Sequence, residues 1–207
     1  MLALPARQQL RHRLPRLLVG LVTMGAGIAF MAVAELGLGP WDVLHQGLGE
    51  RTGLGLGAVN IAVGALVLLL WLPLRQRPGV GTVLNVIVIG LVVDLTLALL
   101  PEVGHVGLRW VLMFAGVLGM AVGSGLYIGA GLGPGPRDGL MTGLADRGHS
   151  VRSVRTALEV TVLALGWLLG GTVGVGTLVQ ALTIGPLVQL ALQVFGLPPL
   201  EQRLPQR

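Results

Sequence analysis

Gly37-Leu38-Gly39-Pro40-Trp41-Asp42 and Gly133-Pro134-Gly135-Pro136-Arg137-Asp138 lie 96 positions apart, and that register decides how the chain is built. Sliding the sequence on itself by the same shift aligns Gly20 to Arg51 with Gly116 to Arg147 without a gap, in thirteen identical pairs. Glycine and leucine pair readily by chance in a composition this biased. The pairs Pro40/Pro136, Asp42/Asp138 and Arg51/Arg147 do not. Trp71 and Trp167 match at the same shift, and after one deletion Gly79-Val80-Gly81-Thr82 matches Gly174-Val175-Gly176-Thr177. The whole chain therefore reads as a duplication.

The 207 residues are 53% hydrophobic and 11% charged, more apolar than a soluble domain of this size could cover with polar surface. A helix crosses the hydrocarbon core with roughly 20 apolar residues. Six stretches meet that requirement, at 17–36, 54–74, 82–101, 108–130, 154–172 and 175–197. Each half holds three of them, and an odd number turns the second half over in the bilayer. The expected fold is an all-α membrane protein of six transmembrane helices, arranged as two inverted three-helix repeats. Each repeat has a short broken or re-entrant helix after its first span. The expected divisions are a basic cytoplasmic segment 1–16, repeat 1 over 17–104, repeat 2 over 105–197 and a cytoplasmic tail 198–207.

Arginine supplies all 14 basic residues and sets the orientation. Arg7, Arg11, Arg13, Arg16, Arg75, Arg77, Arg137, Arg147, Arg152, Arg155, Arg203 and Arg207 fall on one side of a six-pass arrangement, and only Arg51 and Arg109 on the other. The positive-inside rule then puts both termini in the cytoplasm. The charge of +5 forms no basic face, which argues against a nucleic-acid partner. Ala32-Val33-Ala34 after the first apolar run imitates a signal cleavage site, but this run is the counterpart of an internal span and is expected to be retained.

In each motif glycine and proline end one helix and open another. Gly39-Pro40-Trp41-Asp42 and Gly135-Pro136 with Asp138 are ordinary helix starts, with proline at N1 and a carboxylate near the positive end of the dipole. The following segments, Asp42 to about Arg51 and Asp138 to about Arg147, are too short to cross the bilayer. Paired helix starts of this kind also form the midplane sites of transporters. On that reading Asp42, Asp138, Asn60, Asn85 and Gln180 are the candidate solute or ion pathway, while Gly39, Pro40, Trp41, Gly135 and Pro136 are structural. The two carboxylates favour a cationic or proton-coupled solute over an anion. Asn85 and Gln180 are equivalent at a 95-residue shift and suit interhelical hydrogen bonds. Arg155 and Glu159, four residues apart, are expected to form a helical ion pair. Asp94 is expected to reach water at the outer end of its span, and His12, His45, His105 and His149 to lie dispersed near surfaces. The chain has no cysteine. No metal site, nucleotide loop, cofactor motif or nucleophile paired with a base is read, so an enzyme is not expected.

On Gly37 to Asp42, the short segment to Arg51 and Gly79 to Asn85, the sequence resembles the YczE family of bacterial membrane proteins, related to the YitT and YyaS type. The resemblance spans nearly the whole chain. It implies a multi-pass protein of the bacterial cytoplasmic membrane, some of whose relatives lie near genes for antibiotic synthesis. It brings no agreed substrate. Arg137 stands where the first motif has Trp41, so the two copies need not share a role.

The function expected from this architecture is a small-molecule transporter or channel. The alternatives are a non-transporting accessory that positions a partner at the cytoplasmic face, such as a biosynthetic enzyme, and a substrate-binding subunit of a larger importer. The lipid bilayer is the expected partner, together with a small-molecule or ion substrate. Glycine-rich faces on the first and fourth spans serve either internal packing or a homodimer.

Overall fold

The computed structural model describes residues 7–195, and within them the chain is entirely helical. The expected tail 198–207 lies outside the described residues. Eight helices follow in order: α1 (Arg7–Ala34), α2 (Pro40–Thr52), α3 (Leu56–Leu74), α4 (Val80–Leu99), α5 (Val106–Ala130), α6 (Pro136–Ala145), α7 (Val151–Leu168) and α8 (Val175–Phe195). Segments of α1, α3, α4, α5 and α8 are long and apolar enough to cross a membrane. The sixth expected span, 154–172, appears as α7, 18 residues that start earlier and end earlier. Arg152, Arg155 and Glu159 in its first half make it less apolar than the other five. α1 likewise begins well ahead of its apolar run and carries the basic segment from Arg7 onward as helix.

The two short helices begin identically. Gly39 (φ −67°, ψ 159°) precedes Pro40, and Gly135 (φ −64°, ψ 159°) precedes Pro136. Proline at the first helical position has no N–H to leave unpaired and is already set at a helical φ. Two residues before each N-cap the backbone turns through a left-handed conformation, φ 108° at Gly37 and φ 127° at Gly133. Only glycine enters that region at low cost.

The centre of the molecule is α1 packed along α5. A Cβ at Gly20 would meet the carbonyl oxygen of Gly123 at 2.8 Å, and one at Gly27 the carbonyl oxygen of Gly116 at 2.7 Å. These glycines let the two backbones approach, and they are spent on internal packing. Leu17, Leu21, Ile28, Met31, Val117 and Met120 fill the remaining space. α4 flanks α1, and α8 flanks α5. The short helices pack across the halves, α2 on α7 and α6 on α3.

Two backbone ties cross between the halves at matching positions. The Gly81 N–H donates to the Leu132 carbonyl at 2.8 Å, and the Gly176 N–H to the Leu36 carbonyl at 2.7 Å. Beside them Thr82 Oγ1 accepts from the Gly79 N–H at 3.0 Å, and Thr177 Oγ1 from the Gly174 N–H at 3.2 Å. Arg51 donates to the Leu169 carbonyl and Arg147 to the Pro73 carbonyl, a third matched pair. Trp71 and Trp167 are not alike despite their alignment. Trp71 is buried against α6 with its indole N–H on the Pro136 carbonyl at 3.0 Å, whereas Trp167 is 66% exposed. Leucines at 66, 70, 91, 95, 118 and 182 project outward, the surface a lipid-facing protein presents.

Candidate functional site

The starts of α2 and α6 face one another across a cavity of about 350 Å³ between α1, α3, α4, α5 and α8, with the early turns of α7 at its edge. Proline and glycine fix where each short helix begins, so Trp41 and Asp42 arrive from one side and Arg137 and Asp138 from the other. Asp42, Asp138, Asn60, Asn85 and Gln180 all line this space.

Asp42 is 3% exposed. Its Oδ1 lies 3.4 Å from an Arg137 terminal nitrogen, and the same nitrogen donates to Asn60 Oδ1 at 3.4 Å. The Arg137 guanidinium also sits over the Trp41 ring, 5.0 Å from its centroid, a cation–π arrangement. His45, one turn along α2, is buried with Nδ1 3.5 Å from Asp42, close but outside hydrogen-bonding geometry. The expectation that His45 lies near a surface is therefore wrong, because α2 is packed on both α3 and α7. Opposite, the Tyr127 hydroxyl donates to Asp138 Oδ2 at 2.7 Å.

Gln180 donates through Nε2 to the Met120 sulfur at 3.3 Å and sits against Gly39, where any Cβ would strike its amide. Its Oε1, the Trp41 indole nitrogen and His45 Nδ1 are buried polar atoms with no hydrogen-bond partner among the described residues. Buried polar groups are ordinarily paired. Three such atoms around one cavity give it free hydrogen-bonding capacity: the Gln180 amide oxygen as an acceptor, the Trp41 indole N–H as a donor, and the His45 imidazole nitrogen as either. Asn85 makes no side-chain hydrogen bond to its counterpart Gln180.

Arg155 and Glu159 form the expected helical pair, Nε to Oε1 2.9 Å, and both also border the cavity. Asp94 is half-buried rather than fully exposed. It turns inward to cap α3, accepting the Gly57 N–H at 2.7 Å and the Ala58 N–H at 2.9 Å. The first four N–H groups of α3 have no partner within their own helix, and a neighbouring carboxylate is a strong acceptor for them. Arg137, His45 and Tyr127 join the site although the sequence pattern does not single them out for it. The departure of Arg137 from Trp41 was visible in the repeat, but their contact across the halves was not.

An all-helical chain with several membrane-length helices closing over charged side chains is an integral membrane protein. Residues 11–193 match a family model described as a family of unknown function (DUF6198), and the chain belongs to that family of YczE-type membrane proteins. It is 40% identical over 181 residues to an uncharacterized protein of Haemophilus influenzae, covering 87% of this chain and 83% of that one. It is 33% identical over 189 residues to the uncharacterized membrane protein YczE of Bacillus subtilis, covering 90% and 88%. The uncharacterized protein YyaS of Bacillus subtilis is 24% identical over 183 residues, covering 85% and 90%. No solved structure matches.

Proposed function

We propose that the protein is a small-molecule transporter of two inverted three-helix halves, with the cavity between them as its solute site. The observation that carries this reading is the cavity lining. Charged and amide side chains from both halves, among them Asp42, Arg137, Asp138, Asn60 and Gln180, line one cavity inside a bundle that exposes many leucines and valines. Ionisable groups at such depth are costly and are commonly kept for solute or proton pathways. The matched cross-ties at Gly81 and Gly176 support the inverted arrangement, since each half closes on the loop of the other in the same way. α7 serves as the sixth span, its Arg155 and Glu159 neutralising one another. With arginine on the inner side, both termini lie in the cytoplasm of the bacterial inner membrane. No catalytic step is assigned to the site.

Cysteine accessibility tests the reading directly, because the native chain has none. Asn60→Cys and Gln180→Cys are each treated with a small membrane-impermeant cationic thiosulfonate in intact cells and in inverted vesicles. A water-filled solute site requires modification of both from at least one face. If neither reacts from either face, the centre is dry, and the protein is a partner-binding accessory.

A further inference from the structure

α3 and α4 are zipped together, and the corresponding pair α7 and α8 is not. Gly57 on α3 and Gly90 on α4 lie so close that a Cβ on either would strike the carbonyl oxygen of the other. Asp94 adds the cap on α3 at 2.7 and 2.9 Å. In the second half Ser153 stands at the shifted position of Gly57, and Gln189 at that of Asp94. Gly185, the counterpart of Gly90, faces open space, with nothing within 4 Å of an added Cβ. The N-terminus of α7 is capped from its own chain instead, Ser150 Oγ accepting the Ser153 N–H at 3.0 Å. As a result α7 and α8, although consecutive, scarcely touch. Glu159 on one side and Ile184, Gly185 and Val188 on the other border the cavity along this gap.

We infer that the gap is a lateral portal from the bilayer and that the solute is an amphipathic cation, an ammonium-type head carrying an apolar chain. This rests on the reading of the cavity as a transport site and names its substrate class. Ile184 and Val188 line the cavity beside Gly185, and the outer side of α8 carries exposed Leu182 and Leu190, so an apolar chain lying between α7 and α8 meets apolar surroundings. The cavity border carries three carboxylates, Asp42, Asp138 and Glu159, against the two guanidiniums of Arg137 and Arg155. With these five groups ionised and the His45 imidazole, which also lines the cavity, uncharged, one negative charge is in excess. A positive head neutralises it, whereas a negative head would double it in a site where unpaired charge is costly. In the arginine-directed orientation α7 starts and α8 ends at the cytoplasmic side, so the portal opens to the inner leaflet while the α3–α4 seam is shut.

The test uses the protein in lipid nanodiscs, with the thermal midpoint followed by tryptophan fluorescence. Tetramethylammonium, butyltrimethylammonium and octyltrimethylammonium are titrated below their micelle concentrations. The half-saturating concentration is expected to fall by about tenfold or more from the methyl to the octyl compound as the chain is buried. In Gly185→Trp, whose ring fills the gap, that ratio is expected to collapse toward one, with Gly185→Leu intermediate. Equal half-saturation across the series, or a gain that survives in both variants through partition into lipid, overturns the portal and leaves the cavity reading standing. Stabilisation by octyl sulfate instead overturns the charge assignment. Self-cross-linking of Leu182→Cys with loss of the chain-length effect makes the gap a subunit interface and also overturns the portal. Failure of the transport reading itself shows elsewhere, in Asn60→Cys and Gln180→Cys that stay unreactive.

Discussion

The guanidinium of Arg137 lies over the indole of Trp41, 5.0 Å from the ring centroid, and these two residues occupy equivalent positions of the two half-sequences. The paired motifs diverge at two points, Leu38/Pro134 and Trp41/Arg137, and at the second of these they touch. An aromatic ring on both sides would leave Asp42 without a cation, and an arginine on both would set two like charges together. The substitution in one copy turns a self-meeting pair into a complementary one, and it breaks the symmetry at the centre of the cavity.

Removing Arg137 leaves Asp42 buried with only the His45 imidazole, 3.5 Å away, beside it. Arg137→Ala is expected to cost about 2–3 kcal/mol, read as a lower thermal midpoint in detergent, because an uncompensated buried charge is left behind. Arg137→Lys falls between, keeping the charge without the planar fork. Adding Asp42→Asn to Arg137→Ala should recover much of the loss. A double variant as unstable as the sum of the two single ones would mean that the pair is not coupled.

The cap that Asp94 places on α3 predicts a difference between aligned positions. Asp94→Ala removes two charge-assisted hydrogen bonds from helix N–H groups and should destabilise by about 1–2 kcal/mol. Asp94→Asn, which keeps one acceptor, should do less harm. Gln189→Ala, at the aligned position of the second half, should leave the midpoint where it was.

Glycines at matched positions are expected to tolerate side chains very differently. Gly90→Val drives a branched side chain into the backbone of α3 at Gly57 and should prevent assembly or cost about 3 kcal/mol or more. At Gly185→Val the added Cβ has no packing neighbour within 4 Å, and the variant should fold normally. Yield of monodisperse protein and thermal midpoint report both. Equal damage from the two substitutions would show that α7 and α8 are packed together as tightly as α3 and α4.

Much of this organisation can be read from a single strand of letters. Gly-Pro punctuation at 39–40 and 135–136 marks the short helices, because proline at N1 and glycine before it have a local meaning that needs no tertiary context. Asp42, Asp138, Asn60, Asn85 and Gln180 stand out because polar groups in apolar runs are few, and they line one cavity. What escapes is whatever depends on which helices become neighbours. Asp94 looks like a residue near a span end until α3 is placed beside it. His45 looks peripheral because its segment is too short to cross the bilayer, yet α2 is covered by α3 and α7. Gly90 and Gly185 are the same letter in the same frame, and only the backbone opposite makes one a contact and the other an opening.

Tyr127→Phe removes the hydroxyl that donates to Asp138 at 2.7 Å and nothing else. The expected stability loss is about 1–2 kcal/mol. Asp138→Asn in the same chain should add little, since the carboxylate has already lost this donor. Full additivity of the two would separate them as independent sites.

The claim on which the rest depends is that the halves are inverted about a pathway between them. Glu50 near the end of α2 and Asp146 after α6 are exposed and equivalent at the 96-residue shift, so Glu50→Cys and Asp146→Cys probe the same place in each half. Both are to be reacted with an impermeant maleimide in intact cells and in inverted vesicles. Inversion requires Glu50→Cys to label from outside and Asp146→Cys from the cytoplasmic side. Labelling of both from the same face would contradict it, and with it the transport pathway built between the two halves.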